Sequence, residues 1–286
     1  MGESQGYITI ATGDRSYVEM AEHLALSVRL NDSRPIALIT DENTTISDST
    51  RALFSDVIIM PAREGYVGCM NKLRVFNFTP FEETIFIDAD CLLIKADMDR
   101  HWDRFSDHDV NFLGEKLTSG NWYHFDIENV LSALDIPYIV KMNSGLFYFK
   151  KNASAHAFFD CCLNLVESQA EVLGCSHRVA VQLADEPFFG AVLGMQRIDP
   201  VVYSPEEGSA MITTVHAKNC RFDPITHESQ VYKPTSFRIL GRFWAKSWVN
   251  GSPSVAHFVK LKPRSVYDSA CLQLRFNAQT TRESDK

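Results

Sequence analysis

No stretch of the 286 residues approaches the ~18 consecutive apolar residues that a membrane-spanning helix needs. The opening residues, Met1 to Gln5, are polar and lack the apolar segment of a secretory leader, so a cytoplasmic setting is expected. Cysteine is sparse: the seven residues are an odd number and none stands in a CxxC pair, which favours reduced thiols over a disulfide framework. Basic residues are short as well. With 28 Lys and Arg against 36 Asp and Glu, the formal net charge is −8. A chain so balanced lacks the basic footprint for broad phosphate-backbone binding, although a local basic patch stays open. No repeat, low-complexity tract or linker interrupts the chain. What remains is 45% hydrophobic and 22% charged, an ordinary globular composition with enough length for a sizeable core.

The first half alternates strand-like and helix-like patterns. Tyr7 to Thr12 (YITIAT), Pro35 to Thr40 (PIALIT), Asp56 to Pro61 (DVIIMP) and Thr84 to Ile87 (TIFI) read as strands. Tyr17, Ala21, Leu24 and Val28 fall at helical spacing, and Asn71 to Phe78 reads as a short helix. This alternation predicts a mainly parallel sheet covered on both faces. The second half is less regular. It holds a strand at Ser144 to Lys150, a helix at Ala153 to Val166, another at Val179 to Leu193 broken or kinked near Pro187, and a late strand at Ser254 to Phe258. A single domain over 1–270 and a polar C-terminal tail over 271–286 are expected, frayed from Asn277 to Lys286.

Three Asp-x-Asp tripeptides occur, at Asp88-Ala89-Asp90, Asp97-Met98-Asp99 and Asp107-His108-Asp109. Only the first follows a buried-strand run, and the others read as solvated. Ligands of open α/β sheets bind beyond the carboxyl ends of the strands. Side chains two apart in extended chain share a side, so Asp88 and Asp90 converge on one ion or, alternatively, one of them caps a turn. Oxygen ligands suit Mg²⁺ or Mn²⁺. His257, again at a strand end, reads either as a third ligand favouring Mn²⁺ or as a packed residue.

Taken together, the ordered motifs from Tyr7 to Pro263 resemble nucleotide-sugar glycosyltransferases of the GT-A fold, closest in layout to family 8, the glycogenin and galactosyltransferase-like enzymes. The motifs are ITIATGDRSYVEMAEHLALSVR, FIDADCLL, MNSGLFYF, LADEPFF and HFVKLKP. The resemblance implies a Rossmann-like α/β domain with a mainly parallel central sheet, flanked by helices, and a less regular acceptor-side second half. It implies a retaining, metal-dependent hexosyl- or pentosyltransferase that uses a nucleoside-diphosphate sugar, UDP-linked by the family pattern, with Mn²⁺ or Mg²⁺. Ala11, Thr12 and Asp14 would meet the base and ribose, Tyr17 would stack on uracil, and Lys72 and Ala89 would lie near the donor. Asn143, Ser144 and Gly145 would border the donor sugar, with Asp185 and Glu186 beneath it. Asp88, Asp90 and His257 would hold the metal, and Lys262 would clamp the diphosphate.

Two departures stand out. The family's glycine between that His and Lys is missing and the spacing is one residue shorter, with Lys260 near the glycine's place. The acidic pair is Asp-Glu, not the commoner Asp-Gln.

Two other classes compete. A sugar-nucleotide nucleotidyltransferase usually carries a Gly-rich basic loop after its first strand, whereas Thr12-Gly13-Asp14-Arg15 has one glycine. A non-catalytic sugar-nucleotide or glycan-binding module would not need the full set of metal ligands. The acceptor is open: a glycan, a protein, a small molecule or a modified nucleic-acid base. GNWYHF (Gly120 to Phe125) and GRFWAKSW (Gly241 to Trp248) are candidate acceptor segments or plain packing.

Overall fold

The computed structural model describes residues 4–173, 184–204, 208–239 and 243–284, with the side chains of 234–249 and 281–284 left aside. Apolar runs form the strands β1 (Gln5–Ile10), β2 (Ile36–Thr40), β3 (Val57–Ile59) and β4 (Glu83–Ile87). Next come β5 (Cys91–Leu93), β6 (Val110–Leu117) and the short hairpin β7 (Asn121–Trp122) and β8 (Phe125–Asp126). β9 (Ile139–Lys150) closes the first half. The remaining strands are β10 (Met211–Thr213), β11 (Asn219–Asp223), β12 (Glu228–Ile239), β13 (Phe243–Gly251) and β14 (Val255–His257). The helices are α1 (Arg15–Asn31), α2 (Asp48–Arg51), α3 (Asp99–Phe105), α4 (Ile127–Leu134), α5 (Ala153–Gln169), α6 (Glu186–Met195) and α7 (Arg264–Ser284), with a 3₁₀ segment at Gly68–Phe78.

The central sheet has the order β3-β2-β1-β4-β9-β6. β1 to β4 run parallel, and β9 runs antiparallel to both β4 and β6. The fold is therefore mixed α/β with a mostly parallel central sheet. One face buries a phenylalanine cluster: Phe86, Phe112, Phe147, Phe158 and Phe189 are fully enclosed, with Phe86–Phe147 and Phe112–Phe147 ring centroids 4.7 and 4.8 Å apart. Such pairs add ~0.5–1.5 kcal/mol each beyond area burial. The other face buries α1 through Val18, Ala21, Leu24, Ala25 and Val28. Asp14 starts α1 by accepting the Ser16 N–H at 2.7 Å.

The reversed direction of β9 positions the site. Ile87 at the end of β4 pairs with Leu146, so Gly145 lies opposite Asp88, and the Asp88 N–H donates to Gly145 O at 2.9 Å. The chain then leaves the central sheet. The Cys91 N–H donates to Asp88 O at 3.0 Å across a four-residue turn, and β5 joins a second sheet of order β10-β14-β5. In that sheet His257 pairs with Cys91.

Several expectations need correction. The carboxylates of Asp88 and Asp90 converge through a turn, not through the alternation of an extended strand. Tyr17 is 50% exposed and Val18 takes its place at the start of the buried stripe, whereas Ala21, Leu24 and Val28 are buried as expected. On α5 the sequence spacing puts Ala157, Phe158, Cys161, Cys162 and Leu165 on the apolar face, but Ala157 is exposed and Phe159 is buried. The helix expected from Val179 begins at Glu186, with Pro187 in its first turn, where the missing N–H costs no hydrogen bond; residues 179–183 lie outside the described residues. The polar tail is instead the second half of α7, held by buried Cys271 and Leu274 beside Phe258 and Tyr267. The solvated reading of the other Asp-x-Asp tripeptides stands for Asp99 and Asp107, which are exposed; Asp97 is half-buried and pairs with Arg100 at 2.9 Å.

Candidate active site

Four carboxylates gather where the carboxyl end of β4 meets the start of α6, and two of them lie within 4 Å of one lysine. Lys72, carried by the 3₁₀ segment and buried, places Nζ 2.7 Å from Asp88 Oδ2 and 3.1 Å from Ser144 Oγ. Asp185 Oδ2 lies 3.9 Å from the same ammonium and is buried with no hydrogen-bond partner among the described residues. Burial would drive the lysine toward neutrality, yet Asp185 and Asp88 hold it well above the ordinary lysine range. Burial pushes Asp88 up despite the Lys72 and His257 charges that pull it down. At Asp90 burial also raises the carboxyl, but the His257 hydrogen bond and charge outweigh it and hold the group below its usual value. The cluster is thus short of positive charge.

His257 is 4% exposed and is oriented by a chain of hydrogen bonds. Gly145 N–H donates to Asn143 Oδ1 at 3.1 Å, which sets the orientation of the amide. His257 Nδ1–H then donates to the same oxygen at 2.8 Å. This leaves Nε2 3.0 Å from Asp90 Oδ1 and 3.8 Å from Asp88 Oδ2. A bare imidazole lone pair facing two carboxylates is repulsive. A proton or a cation must stand between them, and orienting a ligand histidine through its other nitrogen is how metal sites fix the tautomer. The donor set therefore fits a divalent cation.

The third ligand is the open choice, because Asp90, Cys91 and His257 also lie within 4.8 Å of one another. Cys91 Sγ is sealed under Gly145 O at 3.8 Å, and burial pushes its thiol well above the ordinary range. Asp88 keeps solvent access and pairs with Lys72. A hard cation that must also reach a ligand from solvent is better served by Asp88.

The acidic pair divides. Asp185 is 3% exposed and faces Lys72, so it is a buried counter-ion. Glu186, at the first turn of α6, is half-buried and accepts three donors: Ser144 N–H at 3.2 Å, Asn143 Nδ2 at 3.4 Å and Tyr123 Oη at 2.7 Å. Burial raises its carboxyl above the usual range, with Asp185 adding to the effect and the Tyr123 and Ser144 hydrogen bonds opposing it.

The other expected residues are spread around this centre. Ala11 is buried and Thr12 half-buried at the end of β1. Asp14 is exposed and caps α1, while Gly13 N–H is held by Asp41 Oδ2 at 3.0 Å and Thr44 Oγ1 at 2.8 Å, tying the two loops after β1 and β2 together. Ala89 is buried in the turn between the two aspartates. Ser144 is buried against Lys72, and Gly145 serves packing: a Cβ there would sit 2.5 Å from His257 Nδ1 and 2.8 Å from Asn143 Oδ1. Lys262 is exposed and pairs with no carboxylate among the described residues. Lys260, near the place of the family's glycine, has φ 56°, the left-handed conformation that glycine adopts most readily.

Sequence reading missed the contact of Tyr123 with Glu186 and the proximity of Cys91. The Gly120 to Phe125 segment is the β7–β8 hairpin and borders the site through Tyr123. The other candidate acceptor segment lies largely on β13, which pairs with β12. Its residues Gly241 and Arg242 lie outside the described residues. The larger described cavity, of about 760 Å³, lies elsewhere, between α1, α7 and the loop after β2, and none of the four carboxylates lines it.

Among known proteins, no family model and no curated protein matches this chain. Solved structures with a similar chain path include three glycosyltransferases. GlyE of Streptococcus pneumoniae TIGR4 is 12% identical, with a TM-score of 0.46 over 71% of this chain and 46% of its own, so the match spans just under half of that protein. The galactosyltransferase LgtC, in complex with donor and acceptor sugar analogs, is 12% identical over 72% of this chain and 75% of its own, at TM-score 0.47. Mouse xyloside xylosyltransferase 1 is 13% identical over 73% of this chain and 88% of its own, at TM-score 0.44. With each of these scores below 0.5, the functional argument rests on the site's own side chains.

Proposed function

We propose that this chain is a metal-dependent glycosyltransferase of the GT-A type that moves a sugar from a UDP-linked donor with retention of configuration. The observation that carries the reading is the convergence of Asp88, Asp90 and Nε2 of His257 at the carboxyl end of β4. These three residues would hold Mn²⁺ or Mg²⁺. When bound, the ion supplies charge stabilisation to the departing diphosphate.

The chain's own residues do the rest. Lys72 sets its positive charge against Asp88 and Asp185 in a partly dry setting. Lys262, exposed next to the site strand, adds positive charge toward the diphosphate as a flexible point charge. Tyr17, with half its surface open, is available to stack on the base, beside Ala11, Thr12 and Asp14. Glu186 is the carboxylate turned toward the sugar and stabilises positive charge at the anomeric carbon, whereas Asp185 acts through Lys72.

A thermal-shift screen of UDP-, GDP-, CMP- and dTDP-sugars with and without Mn²⁺ tests the reading. A UDP-sugar shift that needs Mn²⁺, and that disappears in Asp88→Ala and Asp90→Ala, is expected. Full binding and turnover in EDTA, or in either variant, contradicts it.

A further inference from the structure

Tyr123 occupies an unusual place for its residue type. It is the first loop residue of the two-residue turn between β7 and β8, where Trp122 pairs with Phe125. Its φ is 51°, in the left-handed region. That conformation costs a non-glycine residue energy, and such costs persist where the side chain is needed. The ring is 46% exposed, so burial does not explain it. Its hydroxyl, however, donates to Glu186 Oε2 at 2.7 Å.

The hairpin and the carboxylate share one support. Trp122 packs against Gly190, where a Cβ would meet its ring at 3.1 Å. Gly190 is one helical turn beyond Glu186 on α6. The other oxygen, Oε1, accepts from Ser144 N–H and Asn143 Nδ2. All three groups around Glu186 donate. Ser144 N–H and Asn143 Nδ2 can only donate, so they hold Oε1 as an acceptor, while the Tyr123 hydroxyl fixes Oε2.

We infer that Tyr123 is a positioning residue of the transfer site, holding the Glu186 carboxyl in a fixed orientation toward the donor sugar. This rests on the glycosyltransferase reading above. The groups facing Glu186 are Tyr123 from the hairpin, Asn143 and Ser144 from β9, Asp185 from its own helix and Lys72 from the 3₁₀ segment. Tyr123→Phe removes one donor and keeps the ring.

The test has two arms on the full chain. In the first, the Glu186 side-chain carboxyl is titrated by ¹³C NMR in wild type and Tyr123→Phe, without substrate. Loss of a donor to the charged form moves the midpoint upward by about one pH unit. An unchanged midpoint overturns the proposal. In the second, turnover of the UDP-sugar that gives the largest Mn²⁺-dependent thermal shift is measured with water as acceptor. Tyr123→Phe lowers kcat roughly tenfold or more, the worth of a hydrogen bond to a charged group, with donor KM unchanged. In a Glu186→Gln background the same substitution has less effect. Equal losses in both backgrounds overturn the proposal. If the midpoint moves but wild type turns over no sugar nucleotide, the glycosyltransferase reading fails, and the positioning role falls with it while the hydrogen bond stands.

Discussion

Gly145 shows how closely the residues of this site depend on one another. Its missing side chain leaves room for the His257 ring, and its N–H orients the Asn143 amide that in turn orients the histidine. Gly145→Ala is expected to cost ~1–3 kcal/mol from overpacking, and to weaken Mn²⁺ binding because the imidazole must move. Urea unfolding and calorimetry report the two effects separately. Wild-type Mn²⁺ affinity in a folded Gly145→Ala protein would mean that His257 is not a ligand. Cys91 gives the converse test. It pairs with His257 in the second sheet, but it is sealed beneath Gly145 O. Cys91→Ser should leave Mn²⁺ affinity within a few-fold of wild type, whereas Asp90→Asn should abolish binding. A strong loss in the cysteine variant would make the sulfur the third ligand.

At the scale of elements, the sheet edge was readable before the structure and its reversal was not. TIFI is a short apolar run ending in charge, and that pattern marks both a buried strand and its carboxyl end. Nothing in the spacing of Asp88 and Asp90 says that the chain turns there and changes sheets. A turn closed by one backbone hydrogen bond leaves no periodic signal. Asp185 and Glu186 were equally hard to tell apart, because which one faces Lys72 depends on where α6 starts, and Pro187 is compatible with either a kink or a first turn. The pairing of Glu186 with Tyr123 is a contact between residues far apart in sequence, and no local pattern predicts it. By contrast, the glycines of α6 carry a reason that the structure makes plain. A Cβ at Gly194 would collide with Tyr138 O just before β9, and one at Gly190 with Val140 O on β9, so helix and strand touch through backbone. Gly194→Ala should destabilise the protein by ~2 kcal/mol or more, since neither backbone can yield cheaply. A urea midpoint equal to wild type would show that α6 has room to shift.

The whole molecule carries an excess of acid, and the site concentrates it, so a cation is the missing partner at both scales. Stability adds a separate acid limb. Burial holds His23 and His101 down at about 4, against an ordinary value of 6.5. His101 uses both ring nitrogens, on Tyr203 Oη at 2.7 Å and Ser254 Oγ at 2.8 Å. Both rings are neutral in the folded chain at pH 7, while the unfolded chain binds protons below about 6.5. Their contribution is therefore present above pH 6.5 and is lost as pH falls toward 4, on the order of 3 kcal/mol for each. Urea midpoints between pH 7 and 4.5 should fall, and His101→Gln should flatten that slope; an unchanged slope would show that His101 titrates normally. The central claim concerns the metal, and isothermal calorimetry of UDP into the full chain tests it most directly, with Mn²⁺ and then with EDTA, in wild type and His257→Ala. The account predicts tight binding with Mn²⁺, at least tenfold weaker binding in EDTA, and the same weakening in His257→Ala whether or not Mn²⁺ is added. UDP affinity indifferent to Mn²⁺, to EDTA and to the loss of the imidazole would contradict it.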